Sequence, residues 1–183
     1  VDIKEFNKTK SKKNKQFTLL YVGRDHPTKG LPILRQAFHQ VWQKHPEIKL
    51  QLVTGGRTGK DLIKEYKRAH AFVLPSLVEG QPIVLLEAWA AKLPVIATNI
   101  PGIMETVSPN QDALIVQPGD VNSLKQALVK IFSMPESKRL KLGKNGYTKV
   151  KREHTWTKIA AQTLEVYHQI ISTTKTTTPS KDK

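Results

Sequence analysis

The sequence predicts an α/β fold in which a parallel sheet is flanked by helices on both faces. Three observations support this prediction: short apolar runs alternate with segments of helical spacing, the first three runs stop at a glycine or a proline, and 183 residues suffice for one domain with a buried core. Strands that alternate with helices favour parallel pairing, because parallel strands need crossover connections. The predicted strands are Phe17–Val22, Ile48–Val53, Ala71–Leu74, Val95–Thr98 and Ala113–Val116.

The helices between these strands are predicted from periodicity and from start signals. Gly30–His45 carries apolar residues at spacings of three and four, Asp61–His70 opens with a capping carboxylate, and Ile83–Ala91 follows Pro82. The apolar spacing then predicts three helices that close the fold, at Val121–Phe132, Glu136–Lys151 and Thr155–Ile171.

The two ends of the chain differ in composition from the domain, which we predict to span residues 17–155 with a closing helix over 156–172. Residues 1–16 hold six lysines and almost nothing apolar, so they are predicted to form a basic interdomain linker or arm rather than core. Residues 173–183 are rich in threonine and lysine and are predicted to be disordered.

The formal charge of +15, from 30 Lys and Arg against 15 Asp and Glu, indicates an anionic partner. A nucleic acid, an anionic membrane surface and an anionic small ligand remain open at this point. The chain has no cysteine, which excludes disulfide scaffolds, cysteine zinc sites and thiol nucleophiles. Because its six histidines lack the close spacing of metal ligands, no metal or other cofactor is expected.

Ligands of parallel α/β sheets bind at the carboxyl ends of the strands, so the functional residues are expected directly after the strands. The loop after the first strand contains Gly23, Arg24 and Lys29 and leads into a helix. Two cations beside free backbone amides form a good diphosphate site, although two solvated loop charges would give the same pattern. The glycine-rich turn at residues 54–60 fails the phosphate-loop pattern, because Thr54 and Asp61 replace the required glycine and hydroxyl residue.

The loop after the third strand carries Glu79, and Glu87 follows eight residues later inside an apolar helix. A carboxylate in such a helix is costly to bury without a partner, which is either a ligand hydroxyl or a neighbouring Lys or Arg. The amides of Gly80, Gln81 and Ile83 precede or open this helix, so they can face an anion or a sugar oxygen.

The string EGQPIVLLEAWAAKLPVIAT at Glu79–Thr98 resembles the signature of family 4 retaining glycosyltransferases, in which a Glu, seven residues and a second Glu precede a PVIAT-like strand. Glu105 stands in the acidic place of a further motif, NIPGIMETV. The resemblance covers most of Phe17–Ile171 and keeps its order through three more segments, LYVGRDHPTKG, ALIVQPGDVNSLKQAL and HTWTKIAAQTLEVYHQII.

This resemblance implies one half of a GT-B architecture, a Rossmann-like domain that binds a nucleotide sugar and needs no metal. Arg24 and Lys29 would clamp the donor diphosphate, Glu79 would be the catalytic residue that holds the donor sugar, and Glu87 would bind the ribose. The full donor-binding set implied in this way is Gly23, Arg24, Lys29, Glu79, Gly80, Gln81, Pro82, Ile83, Val84 and Glu87.

The chain departs from the family pattern in three ways. The N-terminal half with the acceptor site is absent, so the fragment alone is expected to transfer little sugar. The stretch between Gly56 and Ala71 is short, which leaves the base specificity open, and Lys92 replaces the usual glycine. The expected role is hexosyl transfer from a nucleotide sugar to a glycan, lipid or other acceptor, in cytoplasmic polysaccharide synthesis. An anionic membrane surface is a further candidate partner. The alternatives are a basic nucleic-acid-binding module and a non-catalytic interaction module.

Overall fold

A five-stranded parallel sheet forms the centre of the protein in a computed structural model that describes residues 1–175. The strand order is β2-β1-β3-β4-β5, and every neighbouring pair is parallel. The strands have the predicted bounds: β1 Phe17–Val22, β2 Ile48–Val53, β3 Ala71–Leu74, β4 Val95–Thr98 and β5 Ala113–Val116. The predicted α/β class is therefore confirmed.

Helices cover both faces of this sheet. Alternate residues of β1 point in opposite directions, so that Leu20 joins one apolar cluster and Leu19 joins the other. The helices are α1 Ile3–Lys8, α2 Leu31–Trp42, α3 Gly59–Arg68, α4 Ile83–Ala90, α5 Pro101–Met104, α6 Val121–Ser133, α7 Glu136–Glu153 and α8 Trp156–Lys175. Helices α1, α3, α4, α5 and α7 contribute to the first cluster, and α2, α6 and Leu142 of α7 contribute to the second.

Two predictions for the first part of the chain need correction. The arm is not wholly outside the core, because α1 buries Ile3 and Phe6 in the first apolar cluster. Phe6 lies against Tyr66 of α3, with ring centroids 6.2 Å apart. In addition, Asp61 is not a helix cap, since α3 begins two residues earlier and Asp61 lies in its first turn.

Helix α7 packs closely on α4 and on the turn that follows it. A Cβ atom at Gly143 would lie 2.1 Å from the Lys92 carbonyl oxygen, and one at Gly146 would lie 2.2 Å from the Trp89 ring. Lys92 itself has a φ of +61°, in the left-handed region that favours glycine. This backbone conformation suits the glycine that the resemblance led us to expect at position 92.

Helix α8 does not close onto the sheet as predicted. Its described side chains are all exposed, including the large apolar residues Trp156, Ile159, Leu164, Tyr167 and Ile170. The helix also continues to Lys175, so the prediction of disorder is wrong for residues 173–175, while residues 176–183 lie outside the described part of the chain. No helix within the described residues is long and apolar enough to span a membrane.

Candidate functional site

The loops after β1, β3 and β4 meet at the carboxyl edge of the sheet. The β1 loop ends in a 3-10 turn, Pro27–Lys29, which the His26 side chain caps at the Thr28 amide. The next residue, Gly30, has a φ of +66°, and a Cβ atom there would lie 1.9 Å from the Pro75 carbonyl oxygen. Because only glycine tolerates both conditions, this residue fixes the β1 loop against the β3 loop.

The main feature of this edge is an ion pair between Lys29 and Glu79. Lys29 Nζ donates to both carboxylate oxygens of Glu79, at 2.8 and 2.9 Å. The side chains are 23% and 9% exposed, respectively, so the pair is largely shielded from water but still accessible. The sequence predicted both residues as ligand contacts, and the structure brings them together in direct contact with each other.

A second layer of residues holds Glu79 in place. Ser76, which is fully buried, donates from Oγ to Glu79 Oε1 at 2.7 Å. Thr98 donates to the Ser76 carbonyl oxygen at 2.5 Å. A Cβ atom at Gly102 would lie 2.2 Å from the Glu79 carbonyl oxygen and 2.0 Å from that of Gly80. None of these three residues is predicted from the sequence, although Ser76 and Thr98 lie at strand ends where ligand loops are expected.

Arg24 lies exposed on the β1 loop, and Tyr21 supports its backbone. The Tyr21 hydroxyl donates to the Arg24 carbonyl oxygen at 3.0 Å. Burial raises the pKa of Tyr21 to about 12, and the negative charges of Asp25 and Glu79 act in the same direction. A Cβ atom at Gly23 would lie 2.9 Å from the Tyr21 hydroxyl. Gly23 therefore provides space for Tyr21.

The partner of the Glu87 carboxylate is neither a ligand hydroxyl nor a Lys or Arg, the two alternatives considered from the sequence. The Tyr66 hydroxyl of α3 donates to Glu87 Oε2 at 2.8 Å. Burial raises the pKa of Glu87, while the Tyr66 hydrogen bond and the amino group of Val1 act to lower it. The same burial, together with the Glu87 charge, raises the pKa of Tyr66 well above its usual value.

Glu87 lines a largely apolar pocket of about 350 Å³, to which Gln81 and Ile83 also contribute. The pocket is bounded by α1, α3, the start of α4 and the start of α8. Of the other predicted contacts, Gly80 is exposed, whereas Pro82 is buried and Val84 packs against the core. Pro82 can therefore offer a ligand only its backbone, whereas Val84 is half-buried.

The glycine-rich turn after β2 does not join the site residues. Its Arg57 forms an ion pair with Glu65 of α3, which makes it part of the local packing.

Across residues 1–175 no cluster of three or more His, Asp or Glu side chains has the geometry of a metal site.

The profile of the glycosyl transferases group 1 family matches residues 51–149, a span that contains Glu79 and Glu87. The chain belongs to this family. Lys29 lies outside the matched span, and the fold places it on Glu79.

Curated relatives agree with this assignment. The capsular polysaccharide biosynthesis glycosyltransferase CapM of Staphylococcus aureus is 30% identical over 164 residues, which cover 76% of this chain and 43% of the relative. MMP alpha-(1->4)-mannosyltransferase of Mycolicibacterium hassiacum is 31% identical over 120 residues, which cover 65% of this chain and 29% of that protein. This glycosyltransferase chain therefore spans less than half of the length of these relatives.

Solved structures have the same fold. Sucrose-phosphate synthase from Thermosynechococcus elongatus superimposes with a TM-score of 0.76 at 28% identity, over 87% of this chain and 46% of that one. The C-terminal domain of a glycosyl transferase group 1 protein from Francisella tularensis superimposes with a TM-score of 0.69 at 18% identity, over 85% and 94% of the two chains. The predicted architecture, a C-terminal GT-B domain, is confirmed.

Proposed function

We propose that this domain binds the nucleotide-sugar donor of a retaining glycosyltransferase that transfers a hexose. The observation that carries the proposal is the contact between Lys29 and Glu79 at the carboxyl edge of the sheet. A cation and a carboxylate side by side suit a ligand that has an anionic diphosphate next to a sugar with hydroxyl donors. Parallel α/β sheets in general bind their ligands at this edge, which supports the proposal.

Each charged residue has a role in the proposed reaction. A hydroxyl oxygen of the acceptor forms a bond to the anomeric carbon, and the bond between that carbon and the diphosphate oxygen breaks. Negative charge grows on the departing nucleoside diphosphate, which takes up the proton of the acceptor hydroxyl. Lys29 and Arg24 offset this charge, so the proposal assigns no step to a metal. Glu79 accepts hydrogen bonds from the sugar hydroxyls once the ligand phosphate has taken its place on Lys29.

The nucleoside is proposed to lie toward Glu87. The second oxygen of this carboxylate can accept from the ribose hydroxyls, because Tyr66 contacts Oε2. The pocket beside Glu87 offers apolar surface from Ile83 and Leu86 for the base. The exposed amides at Gly80 and Gln81 lie between the two carboxylates in the chain and can contact sugar and phosphate.

The acceptor is proposed to bind outside this domain, in the N-terminal half of a GT-B enzyme. The exposed apolar residues of α8, such as Trp156 and Ile159, supply a surface on which that half can pack. A glycan acceptor in polysaccharide synthesis fits the name of the relative CapM. A cytoplasmic location completes the proposal, because a chain without cysteine needs no oxidising compartment.

Calorimetric titration with UDP-, GDP- and ADP-hexoses tests the proposal. We expect saturable binding of one of them, and a loss of about 1–3 kcal/mol in binding free energy for Lys29→Ala and for Arg24→Ala. Lys44→Ala, an exposed lysine beyond the end of α2, is the control and should bind like the wild type. A folded sample that binds none of the three nucleotide sugars would refute the proposal.

A turnover assay tests the division of labour between the halves. The isolated domain should release no more hexose to added acceptors than a buffer control. Fusion to the N-terminal half of a relative such as CapM should restore transfer. Efficient transfer by the isolated domain would contradict the assignment of the acceptor site to the other half.

A further inference from the structure

The outer side of α7 and the end of α6 form a lysine-rich surface that we call the basic face. It consists of Lys130, Lys138, Lys141 and Lys144, with Leu140 among them. All these side chains are exposed, and Leu140 is 56% exposed. We propose that the basic face docks the domain on an anionic membrane surface.

The lysines of the basic face differ from other cations of α7 in that their ammonium groups have no partner in the described part of the fold. Arg139 donates to the Phe132 and Met134 carbonyl oxygens, and Lys149 binds Asp112, so both serve the fold. In contrast, the ammonium groups of the four face lysines make no hydrogen bond or ion pair within residues 1–175. Their charges are therefore available to an external partner.

The shape of the basic face suits phosphate headgroups. Lys130, Lys138 and Lys141 surround a pocket of about 540 Å³ with an apolar floor that includes Leu114 and Leu142. Amphipathic surfaces that bind membranes combine cations with exposed apolar side chains, as here with Leu140. Single-stranded nucleic acids instead require aromatic stacking platforms, and the residues that define the basic face include no aromatic side chain.

The position of the basic face is compatible with donor binding. Its pocket includes Asn110 and Gln111, which precede β5 and therefore mark the amino edge of the sheet. The Lys29–Glu79 pair lies at the opposite, carboxyl edge. A membrane on the basic face thus leaves the candidate donor site open to the solvent.

Vesicle sedimentation at about 0.15 M salt tests the proposal with the full chain. The probes are vesicles of phosphatidylcholine alone and of phosphatidylcholine with phosphatidylserine. We expect binding only to the second kind. Each lysine near an anionic membrane contributes about fivefold in affinity, so the variant with Lys→Gln at all four face lysines should lose at least about 100-fold. Leu140→Ser should weaken binding several-fold without a change in charge.

The matched control carries Lys→Gln at Lys4, Lys10, Lys12 and Lys60, which are exposed on the arm and on α3. It loses the same four charges and should bind nearly as well as the wild type. An equal loss in both variants would overturn the proposal, because net charge alone would then explain binding. Binding to neutral vesicles, or to single-stranded RNA with no binding to anionic vesicles, would also overturn it. Circular dichroism of each variant verifies that it is folded.

Discussion

Lys29 Nζ lies 2.8 Å from Glu79 Oε1, although fifty positions separate the two residues in the chain. The Glu79 carboxylate occupies the position beside Lys29 where the donor diphosphate is proposed to bind. The Lys29 ammonium likewise occupies the position beside Glu79 where the sugar hydroxyls are proposed to bind. A donor must therefore separate this pair, and the two halves of the ligand should respond differently to its removal.

Glu79→Gln should separate these contributions. Without the competing carboxylate, Lys29 is free, so we expect free nucleoside diphosphate to bind about as tightly as before or several-fold more tightly. The sugar loses a charged acceptor, so the nucleotide sugar should bind about tenfold more weakly, which corresponds to about 1.4 kcal/mol. Calorimetry with the two ligands measures both effects. Equal changes for both ligands would show that Glu79 does not contact the sugar.

Gly102→Ala should displace the backbone of the loop that carries Glu79. Its new Cβ atom would overlap the carbonyl oxygens of Glu79 and Gly80, at 2.2 and 2.0 Å, so the loop must shift. We expect a loss of about 1–3 kcal/mol in stability and weaker nucleotide-sugar binding. Gly55→Ala is the matched control, because a Cβ atom there has no neighbour within 4 Å. Urea unfolding and calorimetry of both variants decide the matter; indistinguishable variants would contradict the role of Gly102.

The sequence predicted the strands of the sheet better than it predicted the contacts between side chains at the candidate site. The strands were predictable because short β-rich runs, three of them ended by glycine or proline, leave little choice of bounds, as at Ala71–Leu74. Lys29 and Glu79 could be placed at one edge from topology alone. Their direct contact could not be predicted, because it depends on the close approach of Gly30 to Pro75.

Side-chain contacts and burial outside the sheet were harder to predict from the sequence. Tyr66 is one of several apolar or aromatic positions in α3, and nothing in the sequence distinguishes its hydroxyl as the partner of Glu87. The burial of Ile3 and Phe6 was missed because two apolar residues among many lysines give no periodic signal. The exposure of α8 was missed for the opposite reason, since its apolar spacing is typical of a packed helix.

Glu87 should make stability depend on pH. Burial raises its pKa in the folded state, so between the unfolded and folded pKa values the folded protein binds more protons. The stabilisation of the folded protein by protonated Glu87 is complete below the pKa that Glu87 has in the unfolded chain. It is lost as the pH rises through the higher pKa that Glu87 has in the folded state. Glu87→Gln should remove this slope and be more stable than the wild type at pH 7, while Tyr66 can still donate to the amide oxygen.

Urea unfolding of both proteins from about pH 4 to pH 7 measures this difference. Burial lowers the pKa of His70 and His154, which gives the opposite slope, but these residues contribute equally to both proteins. The difference curve therefore reports Glu87 together with its interaction with the amino group of Val1. A constant difference across the range would contradict the prediction. The same variant should bind nucleotide about tenfold more weakly if Glu87 contacts the ribose.

Lys149 and Lys144 lie on the same helix and should differ sharply in their effect on stability. Lys149 Nζ donates to the Thr106 carbonyl oxygen at 2.8 Å and to Ser108 Oγ at 2.9 Å, and it pairs with Asp112, whose side chain is 2% exposed. Lys149→Met leaves that carboxylate buried without its cation, which should cost about 3 kcal/mol in unfolding free energy.

Lys144→Met removes an exposed ammonium and should change the unfolding free energy by no more than about 0.5 kcal/mol. Urea unfolding at neutral pH compares the two variants. Because both lose one positive charge and gain the same side chain, the difference between them reports the contacts of the Lys149 ammonium with Asp112, Thr106 and Ser108 rather than net charge or helix propensity. Equal unfolding free energies would mean that the pair with Asp112 contributes nothing to the fold.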